Sequence, residues 1–483
     1  MKRKLLALLL AMSMVVGAFA GCSGDSGKSS STADTSTSST TDESGDTASD
    51  ADTSSDAEAG NTSDANIPQL TSDPLTIVLW DISTEDPHKS MMEGAVARFT
   101  EAYPNITVEQ LHQQNDNYKQ QLIVAMSSGQ CPDMYMHWGG GPMNEYYESG
   151  FVNDLTEMYN TYDHPDFIEA AIAQASYNDM ILAIPYGGLS GCDFFYNKSI
   201  FAEVGVEVPE TIEELEAVCD KLLEAGYTPF SLANSPGWTG SMYYMYLVAR
   251  HSGNDEFNAA YTQEGSFTSD AFIYAGEKIQ DWVQKGYFVE GVNSLSPDDS
   301  QDLALMYDGT CAMMLHGSWV TSNMQTDNAE WYSENIGVFR FPEDSEAAAA
   351  GVPQDVEVGT AIGNGLSFNC WNDDGSVDQT KLDAGYVLAT QYINDDTYNQ
   401  QQIDRITIPS IEGFDTAVED PNMQVVAEVF FNASNVQLWY DQYLPANVTE
   451  VHKDCMNALY ALEITPEEIG QKHDAAMQEY LNG

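Results

Sequence analysis

Four tryptophans stand beside glycine or polar residues where a chain element should end. Trp80 precedes Asp81, Trp138 precedes Gly139-Gly140-Gly141, Trp238 follows Pro236-Gly237, and Trp319 follows Gly317-Ser318. Planar polar side chains occupy comparable places: Asn115 and Asp116 after the second candidate strand, and Asp193 ahead of Phe194-Phe195-Tyr196. Aromatic rings offer broad apolar faces in polar surroundings, and Asn and Asp offer paired donors or acceptors. Together they suit a ring with C–H faces and a rim of hydroxyls, which is the chemistry of a sugar. Each residue also has a plainer reading. A tryptophan can pack a core or plug a loop, Asp193 can be a hinge residue bonded to backbone, and Tyr186 can pack at that hinge. Glu145 is read as a cap for a helix over 143–150.

Signatures of catalysis do not assemble. Gly188-Leu189-Ser190-Gly191-Cys192 lacks the last glycine of a nucleophile elbow. There is no HExxH and no glycine-rich phosphate loop. Aligning Gly375 to a calcium loop puts Cys370 and Lys381 where ligands belong. No metal and no cofactor is expected. Among 75 acidic residues some carboxylate pair is always close, so a surface glycoside hydrolase stays open as an alternative, as does an adhesin.

The elements that must carry these residues alternate. Leu75 to Trp80 is a nearly continuous apolar run, read as a buried strand. Met91, Met92, Ala95, Val96, Phe99 and Ala102 recur at helical spacing until Pro104. A strand over 106–111, a helix over 118–128 closed by Gly129, and a strand over 133–138 follow. Such alternation predicts a parallel sheet with helices on both faces. Ligands bind such sheets outside the carboxyl ends of the strands, where Trp80, Asn115, Asp116 and Trp138 stand.

The amino terminus predicts export. Met1-Lys2-Arg3-Lys4 precedes an apolar stretch over 5–16, shorter than the roughly 20 residues of a membrane-spanning helix. Residues 1–21 are read as a signal peptide. Residues 22–71 are read as an acidic Ser/Thr linker too polar to fold. The net charge is −58, from 17 basic and 75 acidic residues. That field repels polyanions, so nucleic acid is not an expected partner. Past residue 71 roughly 400 residues remain, enough for two lobes. Beyond Cys22 there are six cysteines and no CxxC pair; both disulfides and buried thiols remain open.

Several motifs resemble known ones. Phe19-Ala20-Gly21-Cys22 resembles the lipobox of bacterial lipoproteins, which implies that Cys22 carries lipid. Tyr118 to Ile123 with Ser128 to Met134, Ala183-Ile184-Pro185-Tyr186, Phe195 to Phe201, Gly205 to Leu215, Met306 to Met314 and Gly317-Ser318-Trp319 resemble, in order and spacing, the extracellular solute-binding proteins, family 1. Ile212, often tryptophan there, and Cys131, often alanine, depart from the pattern. Within the Gly205–Leu215 match, Thr211 is placed to N-cap a helix, with Glu214 completing a capping box.

The resemblance implies an α/β, two-lobed periplasmic-binding-protein-like type II fold with a hinge of three crossings, near Tyr186, 361–365 and 406–408. Lobe I is expected over 72–185 plus 364–405, and lobe II over 186–363 plus 406–483, ending in helices from Pro421 to Leu481. The implied role is a lipid-anchored, monomeric binding subunit on the outer face of the cell membrane. It would deliver a carbohydrate, an oligosaccharide rather than a single ring, to the transmembrane permease subunits of an ABC importer. A peptide or polyamine ligand in the same fold is the nearest alternative.

Overall fold

The computed structural model describes residues 65–414 and 416–482. The expected signal peptide, Cys22 and the expected linker as far as residue 64 lie outside the described residues. The chain is tied to the first lobe from Asn66, whose N–H donates to Asp163 Oδ2 at 2.7 Å; Ile67 and Leu70 pack on that lobe's core. Among the described residues no helix is long and apolar enough to cross a membrane.

The first lobe is built on five strands in the order Ile106–His112, Leu75–Asp81, Met134–His137, Gly365–Phe368, Ile184–Pro185. The first three run parallel, returned by the helices His88–Ala102 and Asn115–Ser128. The first of these helices buries Met91, Met92, Ala95, Val96 and Phe99. The second ends where Gly129 turns left-handed, φ 71°, and bonds the carbonyls of Ala125 and Met126. The expectation of a parallel sheet fails in one strand. Gly365–Phe368 runs antiparallel to both neighbours, because it re-enters from the second lobe instead of over a crossover helix.

The second lobe centres on the strand Gly188–Asn197, buried along nearly its whole length. It pairs antiparallel with Cys311–Gly317, Ile336–Phe339, Val356–Thr360 and Ile408–Pro409. Thr211 caps the helix Ile212–Ala225, accepting the Glu214 N–H at 3.2 Å. Glu214 reaches back to the Glu210 N–H at 2.8 Å, one residue earlier than in a capping box. The six described cysteines are all unpaired, and five are buried.

Three stretches form the hinge between the lobes. The Asn364 carbonyl accepts the N–H groups of Tyr186 and Gly187, Thr360 pairs with Ser190, and Ile408 pairs with Leu189. Gln174 Oε1 ties the middle stretch by accepting the N–H groups of Ala361 and Ile362 at 2.9 and 3.1 Å.

The lobes also meet at the helix Gly140–Glu148. A Cβ on Gly140 would lie 2.1 Å from the Gln442 carbonyl oxygen, and one on Gly141 would lie 2.4 Å from that of Leu444. The glycines after Trp138 therefore admit a backbone from the far lobe. Gly141→Ala is expected to cost about 1–3 kcal/mol, as overpacking does, read as a lower urea midpoint; an unchanged midpoint contradicts the contact. Glu145 does not cap its own helix. Its Oε1 accepts the Ala446 N–H at 2.6 Å, at the start of the helix Ala446–Tyr460. Glu145→Ala is expected to lose about 1 kcal/mol in the same measurement, the usual worth of a helix cap.

Candidate ligand-binding site

A cavity of about 400 Å³ lies between the lobes and against the hinge, within the roughly 300–1,000 Å³ of small-molecule pockets. The first lobe contributes the loop after its strand Leu75–Asp81 together with Asn115, Lys119 and Trp138, and the hinge contributes Tyr186 and Arg405. The second lobe contributes Trp238, Trp319 and Trp439.

Trp319 opens the helix Trp319–Asn335 at the end of the Cys311–Gly317 strand. Ser318 fixes the turn: its N–H donates to the Gly191 carbonyl at 2.9 Å, and its hydroxyl lies 3.0 Å from that of Ser190. The ring folds back over Gly317, where a Cβ would come within 2.0 Å of it. Only glycine fits there, which accounts physically for the Gly-x-Trp spacing. The ring stands edge-on to His316 at 5.2 Å and Trp439 at 5.7 Å, with Trp238 at 6.2 Å. These neighbours set its plane while leaving it 37% exposed.

Polar atoms around the cavity lack partners. Tyr186 Oη, Trp238 Nε1, Gln442 Oε1 and Arg405 Nε are each buried with no hydrogen bond, and each residue lines the cavity. Buried polar groups are ordinarily bonded, so these four atoms could pair with the hydroxyls or charges of a ligand. His316 lines the same wall, 3.5 Å from Asp302. Burial pushes His316 below its usual range against the pull of Asp302, and burial raises Asp302.

The residues singled out from sequence divide. Asn115, Trp138, Trp238 and Trp319 come together on the cavity wall. One face of Trp138 is already covered, with Lys119 Nζ 4.6 Å above the ring and 3.6 Å from Asp441 of the other lobe. Asp116 stands a step behind Asn115, accepting its Nδ2 at 3.0 Å while its own N–H donates across to Asp298 at 3.1 Å. Trp80 and Asp193 are not on the wall. Trp80 packs against the first lobe's core. Asp193 is 1% exposed inside the second lobe, and its carboxyl is raised well above the usual range by burial and then by Glu357. Sequence reading missed Trp439, which precedes the short helix Tyr440–Tyr443 in a stretch read only as helical. It also missed Arg405, although a lone arginine at a hinge crossing of so acidic a chain was a usable signal.

The family model described as bacterial extracellular solute-binding protein matches residues 82–369. The xylose/arabinose-binding protein XacG of Haloferax volcanii is 22% identical over 236 residues, 47% of this chain and 49% of that protein. The osmoprotective compounds-binding protein GgtB of Synechocystis is 28% identical over 260 residues, 52% of this chain and 60% of that protein. The chain thus spans about half the length of the curated relatives it matches. A solved structure of a chitin oligosaccharide binding protein superposes with a TM-score of 0.74 at 22% identity, covering 85% of this chain and all of that one.

Proposed function

We propose, for a chain that belongs to the bacterial extracellular solute-binding protein family, that the interlobe cavity captures a sugar for an ABC importer. The carrying observation is the cavity wall: exposed Trp319, braced by Trp238 and Trp439, in a cavity also lined by Tyr186, Gln442 and Arg405, whose buried polar atoms lack partners. Stacking would hold the faces of a sugar ring and the unsatisfied groups would take its hydroxyls. Several aromatic side chains on the cavity wall favour an oligosaccharide over a single ring. Contacts to both lobes would favour the closed arrangement, and closure would present one surface to the permease subunits. Cys22, acylated, would keep a monomeric receptor at the outer face of the cell membrane, reaching outward on its acidic linker.

Calorimetric titration with mono- and oligosaccharides tests this. Saturable 1:1 binding with the sugar recovered intact is expected. Release of a shortened product, or no saturable heat with any sugar, contradicts it.

A further inference from the structure

The chain has five arginines, four of them in the described residues. Three of the four meet carboxylates: Arg98 meets Asp395 at 2.8 Å, and Arg250 and Arg340 meet Glu357 at 3.2 and 2.9 Å. Arg405 meets neutral groups only. Nη2 donates to Ser322 Oγ at 2.8 Å and contacts the His88 ring at 2.9 Å. Nη1 reaches only the Met91 sulfur, at 3.5 Å, and Nε has no partner. Burial, with Arg405 beside it, pushes His88 down to about 3, so the ring is neutral and does not compete as a cation. Burial lowers Arg405 to about 10, which leaves it protonated at neutral pH.

An unpaired cation this deep, 8% exposed on the cavity wall, is costly to hold unless an anion joins it. Arg250 shows how this fold satisfies a structural arginine: Glu357 and the carbonyls of Phe341, Pro342 and Val356 surround it. We propose that Arg405 is the carboxylate-binding group of the cavity and that the captured sugar carries a uronic acid. This rests on the sugar-binding reading above. Ser322 and His88 hold one nitrogen of the guanidinium, which fixes the plane of the fork. Nε and Nη1, on a residue that lines the cavity, have no oxygen or nitrogen partner among the described residues, and a planar carboxylate matches the fork they form. Of the acidic side chains that line the cavity, Asp86 is engaged by the Ser90 N–H, Asp298 by the Asp116 N–H, Asp302 by the Leu303 N–H, Asp327 by the Tyr307 hydroxyl and Asp441 by Lys119, while Glu85 has no side-chain bond among the described residues. The net charge of −58 opposes an anion at long range, but exposed charges are screened beyond about 8 Å at physiological ionic strength, and a buried cation far less so.

The test is a calorimetric panel of matched sugars. The pairs are digalacturonic acid and galactobiose, β-glucuronosyl-glucose and cellobiose, and xylotriose with and without a glucuronosyl branch, each acid also as its methyl ester. At least one acid is expected to bind about tenfold or more tighter than its neutral partner and its ester, which is about 1.4 kcal/mol. Arg405→Gln is expected to bring that acid and its ester to within about twofold. Neutral sugars or esters that bind as tightly as their acids overturn the uronate assignment and leave sugar capture standing. An acid preference that survives Arg405→Gln overturns the role of Arg405. A panel in which no member of any pair binds removes the uronate assignment and the sugar-binding reading together.

Discussion

Replacing Glu357 with alanine is expected to destabilise the protein by about 3–5 kcal/mol, the cost of leaving a buried charge without its partner. Glu357 is 3% exposed and Arg250 is fully buried. Oε1 accepts from Arg340 Nη2 at 2.9 Å and from Arg250 Nη2 at 3.2 Å, and Oε2 accepts from the Tyr246 hydroxyl at 2.9 Å. Removing the carboxylate takes the countercharge from one fully buried guanidinium and one half-buried one, and leaves the Tyr246 hydroxyl with the Cys192 carbonyl and the Val358 N–H. One neighbour can offset part of the loss. Asp193 is held toward its neutral form by burial first and by the charge of Glu357 second, while Arg250 and Arg340 pull the other way. With Glu357 gone, Asp193 can ionise in its place. Asp193→Asn is therefore expected to cost more in the Glu357→Ala background than alone, a coupling that a double-mutant cycle in urea resolves. A Glu357→Ala midpoint equal to that of the parent protein contradicts the assignment of this network.

Trp319→Ala is expected to weaken sugar binding by about 2 kcal/mol, roughly 30-fold, as truncation of an aromatic anchor does. Its exposed ring, braced edge-on by Trp439 and His316, contributes little to the core, so the urea midpoint should barely move. That split separates a stacking plate from a core residue. Affinity unchanged, or affinity and midpoint falling together, contradicts the stacking role. Gly317→Ala should reproduce much of the affinity loss by lifting the ring from the backbone it lies against.

The legible parts of this molecule are those whose causes are local in sequence. The first two strand–helix units follow from apolar spacing, and the helix stops at Gly129 because a left-handed residue closes it. Thr211 caps its helix with a bond three residues away. Trp319 could be placed from Gly317 because the ring lies on the glycine two residues before it. What was hidden depends on distant parts of the chain. Glu145 caps a helix 301 positions away, and Gly140 and Gly141 are small because residues 442–444 press on them. Asp193 follows the hinge in sequence, yet it belongs to the Glu357 network inside the second lobe. The reversed strand Gly365–Phe368 was hidden for the same reason, since only the return through the hinge sets it in the first sheet.

The most direct measurement is a crystal structure of the protein with the sugar that binds it tightest in calorimetry. The expected result is one ligand between the lobes, a ring stacked on Trp319, and sugar oxygens within hydrogen-bond distance of Tyr186 Oη, Trp238 Nε1 and Arg405 Nε. A ligand bound away from this cavity, or one that leaves those three atoms without partners, would contradict the account.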